Sequence, residues 1–217
     1  MDLPCGLSGN LPLIAINKSI LQKIFETLIE TYLRDKVGIS EHFLSDTLSA
    51  DLKVNLMTLF AKNALLTAGT GNESTILKDT AIRSDKIYWL DKSHDDIHEN
   101  AFFVLMDDFV RYLNETCYTG ITGYEFHYAL YEKGSFYKRH LDRFRNDDSR
   151  LFSMITYLNA DWQEGDGGEL SIFHDDGQNQ NVSPTNGKSV FFKSDELEHE
   201  VLKTLVPRMS ITGWLKR

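Results

Sequence analysis

The chain has 217 residues, of which 41% are hydrophobic and 25% charged, and a formal net charge of −9 at pH 7. That length and balance suit one well-packed globular domain, or a domain with a small appendage, and argue against a disordered chain. The acidic balance argues against broad adhesion to nucleic acid or anionic membrane, which needs clustered Lys and Arg, and two cysteines are too few for a disulfide framework.

The N-terminal stretch "MDLPCGLSGNLPLIAINKS" has no basic leader and no apolar run approaching a membrane span, so a cytoplasmic protein is expected. From Ser19, "SILQKIFETLIETYLRDKVG" places a Ser-x-x-Gln capping box before apolar residues at Ile20, Ile24, Leu28 and Tyr32, with Gly38 as the stop. This predicts an amphipathic helix whose apolar face packs on the core or on a partner. "SADLKVNLMTLFAKN" (49 to 63) predicts a second helix, and "TAGTGNEST" (67 to 75) is a small-polar segment suited to a lid loop. "KIYWL" (86 to 90) predicts an early strand. "IHENAFFVLMDDFVRYLNET" (97 to 116) predicts a third helix with Phe102, Leu105, Phe109 and Leu113 in one stripe.

After Gly120 the hydrophobic period changes from that of a helix to two, through "GYEFHYALYEKG", "FYKRHLD", "LFSMITYLN", "GELSIFH", "KSVFFKS", "EHEVLK" and "RMSITGWLK". Short strands separated by turn clusters such as "DDGQNQN" and "PTNGK" predict an antiparallel double sheet. The expected class is α+β: a double-stranded β-helix, or jelly roll, over residues 121 to 217, with residues 1 to 120 as helical support and lid, all in one domain.

The spelling H-x-D occurs three times, and context separates the copies. His94 and Asp96 precede the third helix, where Ser and Asp satisfy free N–H groups. His174 and Asp176 leave a strand for an Asp-Gly turn. His140 and Asp142 sit in an aromatic strand setting where alternation points both the same way. His199, in "LEHEVL", supplies a further imidazole on another strand. Two imidazoles and one carboxylate fill one face of an octahedron and leave three positions open, a set that suits non-haem Fe(II) and oxygen chemistry; the alternative is three unrelated, satisfied polar residues. Arg208 opens the last strand on a face shared with Ser210, Thr212 and Trp214, and a guanidinium directed inward calls for an anion such as a diffusible carboxylate. The alternative is that it reaches solvent or a distant Glu.

Taken together, "YEKGSFYKRHLD", "ITYLNADW", "GGELSIF", "FFKSDELEHEV" and "PRMSITGW" resemble the 2-oxoglutarate and Fe(II)-dependent dioxygenases of the prolyl 4-hydroxylase superfamily, with most similarity to hypoxia-inducible-factor prolyl hydroxylases and their bacterial relatives. The resemblance covers the C-terminal half strongly and reaches upstream through "IRSDKIYWL". It implies His140, Asp142 and His199 as metal ligands and Arg208 as the grip on the far carboxylate of 2-oxoglutarate. It implies Tyr157 as an aid to that arginine, Tyr131 in the co-substrate pocket, and Thr212 and Trp214 near the iron, Trp214 on the substrate side. Arg150 matches a substrate-contacting arginine at the mouth, Asp85 an acid that can pair with it, and the loop 67 to 80 a segment that folds over peptide. Fe(II), 2-oxoglutarate and O2 are then the expected cofactor and co-substrates, with ascorbate as an optional addition and a protein or peptide as partner.

Glu132 and Lys133 stand where the animal enzymes have Pro and Gly, so substrate identity is not carried over. Asp142 rules against the halide-accepting variants that lack this carboxylate, and hydroxylation is the expected outcome, on a prolyl residue or on a free amino acid or other small molecule. A non-catalytic jelly-roll module gripping a carboxylated ligand is the reading outside enzymology. Nucleic-acid demethylation is disfavoured because "RMSITGWLK" offers no second arginine before Arg217.

Overall fold

The computed structural model describes residues 18–69, 81–142 and 149–217. Helix α1 spans Lys18–Asp35 and buries Phe25 and Leu28, while Ile20 at its first turn is exposed. The helix stops before Gly38: Lys36 takes a positive φ of 63° and its N–H returns to the Tyr32 carbonyl. Gly38 instead opens a short strand, β1 (Gly38–Ser40). Helix α2 (Asp46–Ala61) begins three residues earlier than the periodicity suggested, because Ser45 caps it by accepting from the Leu48 N–H. Strands β2 (Leu66–Thr67) and β3 (Lys86–Trp89) form a hairpin-like pair, and the remainder of the expected lid, 70 to 80, lies outside the described residues. Helix α3 (Ile97–Cys117) starts at Asp96, whose carboxylate accepts from the His98 and Glu99 N–H groups, the capping role expected of that H-x-D copy.

The eight strands that follow are β4 (Gly123–Tyr131), β5 (Tyr137–His140), β6 (Arg150–Tyr157), β7 (Leu170–Phe173), β8 (Asn179–Val182), β9 (Ser189–Lys193), β10 (Glu198–Val201) and β11 (Arg208–Lys216). They form a seven-stranded sheet ordered β1-β9-β6-β11-β4-β3-β2 and a four-stranded sheet ordered β5-β10-β7-β8, with antiparallel pairing throughout. This is the jelly roll, with the helices on the outer face of the larger sheet. β8 was not legible in the sequence: Asn-Gln-Asn-Val reads as turn, and it pairs as a mostly exposed edge strand on β7. Among the described residues no helix is long and apolar enough to cross a membrane.

Both faces of the large sheet are covered, so its central strands are buried along nearly their whole length. Phe126, Tyr128 and Leu130 of β4, Met154 of β6 and Ile211 of β11 pack against Phe102, Phe109 and the other helix residues. Ala129, Tyr131, Ile155, Tyr157 and Phe192 face Leu170, Ile172 and Val201 of the small sheet. In β11, paired on both sides, Gly213 sits against Glu125 and Phe126, and a Cβ there would penetrate the Glu125 carbonyl oxygen and the Phe126 ring. Overpacking of that kind typically costs ~1–3 kcal/mol, and the backbone oxygen cannot swing away as a side chain would. Gly213→Ala is therefore expected to lower stability by about 3 kcal/mol; an unchanged urea midpoint would contradict this packing.

Candidate metal centre and co-substrate pocket

His140 ends β5 directly opposite His199 on β10, and the two imidazole centroids are 4.3 Å apart. Asp142 lies two residues beyond the end of β5, in a bend. Strand alternation in the sequence places it beside His140, whereas the structure brings it there by turning the chain after the strand ends. Its Oδ1 is 3.5 Å from His140 Nε2 and its Oδ2 3.6 Å from His199 Nε2, and one ligand atom from each of the three residues lies within 4.8 Å of the others.

The ring tautomers follow from the outer partners. His140 Nδ1 is 2.8 Å from the Lys138 carbonyl oxygen and His199 Nδ1 is 3.2 Å from that of Leu197. A carbonyl only accepts, so each Nδ1 carries the proton and each neutral ring keeps its Nε2 lone pair facing Asp142. The Nε2-to-carboxylate distances exceed a charge-assisted bond of ~2.7–2.9 Å. Bonds of about 2.1 Å to a shared ion would set neighbouring donors about 3.0 Å apart, so the three groups need only a small inward shift to meet one ion. The donor set and its spacing therefore fit a divalent transition metal.

Burial alone would raise the Asp142 carboxyl; in the metal-free protein the attraction of the His199 and His140 rings once they take up a proton, with the Ser153 hydroxyl, outweighs it and holds the group well below the usual carboxylate range. Burial pushes His199 down to about 4 against the opposing pull of Asp142, and pushes His127, on β4, down to about 3 with help from the Arg83 charge. An imidazole with a depressed folded pKa is protonated first in the unfolded chain, so its effect is absent above the ordinary value of ~6.5 and destabilises as pH falls below it. Asp142 acts in the same direction, losing its contribution as pH drops toward its folded pKa. Metal-free protein is expected to lose several kcal/mol of stability between about pH 6.5 and pH 4, at ~1.4 kcal/mol per unit per fully shifted group. Equal thermal midpoints at pH 7 and pH 5 would refute this.

A candidate site for an anion lies on the inner face of the large sheet. Arg208 at the start of β11 is 1% exposed, opposite Tyr131 on β4, and Ser210 stands opposite Tyr157 on β6. The guanidinium carbon stands 4.9 Å from the Tyr131 ring centroid and 5.0 Å from that of Tyr157. Arg208 Nε donates to the Gly168 carbonyl at 2.7 Å and Nη1 to Ser210 Oγ at 3.4 Å. Ser210 Oγ is in turn 3.2 Å from Thr212 Oγ1, so a polar row runs along β11 from the arginine inward. Gly168 holds a φ of +77°, and a Cβ there would press on Arg208 Cδ and Thr204 at about 3.0 Å, which explains glycine at this position. Arg208 Nη2 and Tyr157 Oη are buried without partners among the described residues. Burial raises the Tyr157 phenol, Arg208 pulling the other way, and raises Tyr131 also, so both hydroxyls are protonated donors at neutral pH. A cationic N–H and a phenolic O–H left open in one buried place fit a carboxylate.

The expected mouth residues are arranged differently from the sequence reading. Asp85 is fully buried and takes both Nε (2.8 Å) and Nη2 (2.6 Å) of Arg83 rather than pairing with Arg150. The reason is proximity: Arg83 is two residues away and bridges to Tyr137, lying 4.2 Å over its ring, and Tyr137 stacks on His140 at 3.6 Å. Asp85 thus supports the metal side through Arg83 and Tyr137. Arg150 is held by Glu125 Oε1 (2.9 and 3.1 Å), lies 3.4 Å over the Trp214 ring, and donates to the Asp142 carbonyl at 3.3 Å. Arg150→Ala is accordingly expected to weaken metal affinity by about tenfold, in the range for residues that orient ligands, besides loosening the mouth; unchanged metal affinity would leave Arg150 a rim residue only.

Sequence reasoning overlooked Arg83, Tyr137, Ser153, Gly168, His127 and Trp89. The last two could have been found by register, since β3 and β11 both meet β4 at His127, opposite Trp89 and Thr212.

Two imidazoles and one carboxylate inside a jelly roll, with a buried arginine along the adjoining sheet, define a non-haem iron oxygenase centre in class. The family model described as the 2OG-Fe(II) oxygenase superfamily matches residues 126–216, a span containing the site residues named above except Arg83, Asp85, Trp89 and Glu125. A Pseudomonas putida prolyl-4-hydroxylase structure is 35% identical, with a TM-score of 0.80 over 89% of this chain and 98% of that one. The human Egl nine homolog 1 is 32% identical over 152 residues, and the chain spans only 33% of its length. A Trichoplax adhaerens prolyl hydroxylase, solved with a hypoxia-inducible-factor peptide fragment, shares the fold at a TM-score of 0.80 and 21% identity over 92% of this chain and 91% of that one. The chain belongs to the 2OG-Fe(II) oxygenase superfamily, whose members use Fe(II), 2-oxoglutarate and O2.

Proposed function

We propose that this protein is a 2-oxoglutarate-dependent dioxygenase that hydroxylates a prolyl residue in a protein or peptide. The observation that carries the oxygenase reading is the pairing of the His140, Asp142 and His199 cluster with the open Arg208 Nη2 and Tyr157 Oη further along the same interior. His140 and His199 supply Nε2 lone pairs and Asp142 a carboxylate oxygen to Fe(II). Arg208 and Tyr157 hold the far carboxylate of 2-oxoglutarate, with Tyr131 walling the pocket and Thr212 extending the polar row toward the metal. Fe(II), when bound with 2-oxoglutarate and O2, supplies the oxidising chemistry that releases succinate and CO2 and adds hydroxyl to the substrate. The protein's share is a fixed donor face, a dry interior and the placement of substrate at Arg150 and Trp214, with Asp85 acting through Arg83 and Tyr137.

The prolyl substrate is supported by the likeness to the Pseudomonas putida prolyl-4-hydroxylase, which is 35% identical to this chain. A cytoplasmic setting belongs to the same proposal and accords with the exposed free thiol of Cys117. The test is anaerobic reconstitution with Fe(II), 2-oxoglutarate and ascorbate, admission of O2, and measurement of succinate with and without prolyl peptides. Peptide-stimulated succinate and one added oxygen on proline, seen by mass spectrometry, are expected. Succinate without any prolyl product would retain the oxygenase and discard the substrate; binding of 2-oxoglutarate without turnover under any condition would leave a carboxylate-binding module.

A further inference from the structure

Five buried side-chain atoms lack a hydrogen-bond partner among the described residues: Arg208 Nη2, Tyr157 Oη, Tyr128 Oη, His127 Nδ1 and Trp214 Nε1. The first two belong to the co-substrate pocket. Tyr128 faces the helices, on the other side of the sheet. His127 and Trp214 remain, and they are neighbours. His127 alternates with Ala129 and Tyr131 on the inner face of β4 and stands opposite Thr212, while Trp214 is the next inward residue of β11. Their ring centroids are 5.7 Å apart, and Trp89 lies 4.9 Å from His127 and 6.3 Å from Trp214. Trp89 is 45% exposed, whereas His127 and Trp214 are 3% and 8% exposed, so the group descends from the surface into the interior beside Arg150, which reaches the Asp142 carbonyl.

A buried polar atom without a partner costs free energy, and two on adjoining rings mark a place where a ligand's polar group completes the bonding. Tryptophan Nε1–H can only donate, and a neutral imidazole offers one N–H and one lone pair. The complementary group is an uncharged amide, whose carbonyl oxygen accepts while its apolar remainder lies against Trp89. We propose that His127 is a specificity-determining residue that, with Trp214 Nε1, hydrogen-bonds an amide group of the prime substrate next to the metal centre. This rests on the oxygenase reading of the site and not on the prolyl substrate. The neutral state required is favoured by burial and by the Arg83 and Arg150 charges, with Asp85 and Asp142 opposing. Arg83 and Arg150 are already paired with Asp85 and Glu125, so the surroundings carry no excess charge to offset a charged substrate group, and an uncharged one fits better.

The experiment is an NMR titration of 15N-labelled protein loaded with Zn(II) in place of Fe(II) and saturated with 2-oxoglutarate, using acetamide as a probe that carries an amide and little else. Acetamide is expected to shift the His127 ring nitrogens and the Trp214 indole N–H with one shared dissociation constant. His127→Leu should weaken that constant, read at Trp214, by about tenfold, and His127→Asn, which keeps a hydrogen-bonding side chain, should recover to within about threefold. A Trp214 shift with His127 unmoved, no shift at either ring, or equal constants for wild type and His127→Leu would each overturn the assignment. The same titration with N-acetyl-Ala-Pro-Ala-amide tests the substrate separately: acetamide shifts without peptide shifts would sink the prolyl reading and leave His127 in place. The wild-type titration decides the question even where a variant fails to fold.

Discussion

Asp142→Ala is expected to abolish 2-oxoglutarate turnover, lowering succinate production by at least about 1,000-fold, or about 4 kcal/mol of barrier at ~1.36 kcal/mol per tenfold. The carboxylate is the one anionic donor in the cluster, and its oxygens face the Nε2 atoms of His140 and His199 at 3.5 and 3.6 Å. Its removal leaves two neutral imidazoles, which hold a divalent cation without charge compensation. Fe(II) affinity should fall with activity. The fold should survive, because the two rings keep their own Nδ1–H bonds to Lys138 and Leu197 and their packing on Tyr137 and Phe192. Activity assays and anaerobic metal titration of the variant settle the point; retention of a tenth or more of wild-type turnover would remove Asp142 from the metal-binding role.

Arg208→Lys is expected to weaken 2-oxoglutarate by about 100-fold while Fe(II) binding persists. A charged hydrogen bond contributes ~1.5–3 kcal/mol, and lysine replaces the planar fork with a point charge. In the native arrangement Nε is committed to Gly168 and Nη1 to Ser210, which aims Nη2 into the space shared with Tyr157 Oη. Lysine cannot satisfy those outer partners and still present a donor at the same place. The measurement is the dissociation constant for 2-oxoglutarate on the metal-loaded protein, beside the metal's own. A joint fall in both constants would make Arg208 a structural residue of the sheet.

The two experiments separate the ends of one site. His140 and His199 belong to the small sheet, Arg208 to the large one, and Asp142 to the bend after β5. Thr212, bonded to Ser210 between them, links the arginine to the mouth on the same strand. The chain Asp85–Arg83–Tyr137–His140 and the clamp Glu125–Arg150–Trp214 then approach the cluster from two further sides, and mutations in either should show in metal affinity before they show in stability.

How much of this was legible without coordinates depends on the range of the information. Period-two alternation is local, so most of the jelly-roll strands and the inward row Arg208, Ser210, Thr212 and Trp214 could be read from the residues, whereas spacing left the pairing of His140 with His199 open against three unrelated polar residues. Asp96 as a helix cap was likewise a local matter of N–H satisfaction. The end of β5 at His140, the strand character of Asn-Gln-Asn-Val and the choice of Arg83 over Arg150 for Asp85 were not, because each is decided by what the chain meets in space. Nor could spacing reveal that Nη2 of Arg208, Nε1 of Trp214 and Nδ1 of His127 would be buried and left open. The sequence by itself determined which residues could serve as donors and which face of each strand they share, since side-chain chemistry and backbone period are properties of a short segment. Only the tertiary structure decided which of those donors converge and which remain unsatisfied, since desolvation and hydrogen-bond partnership depend on neighbours brought in from distant strands.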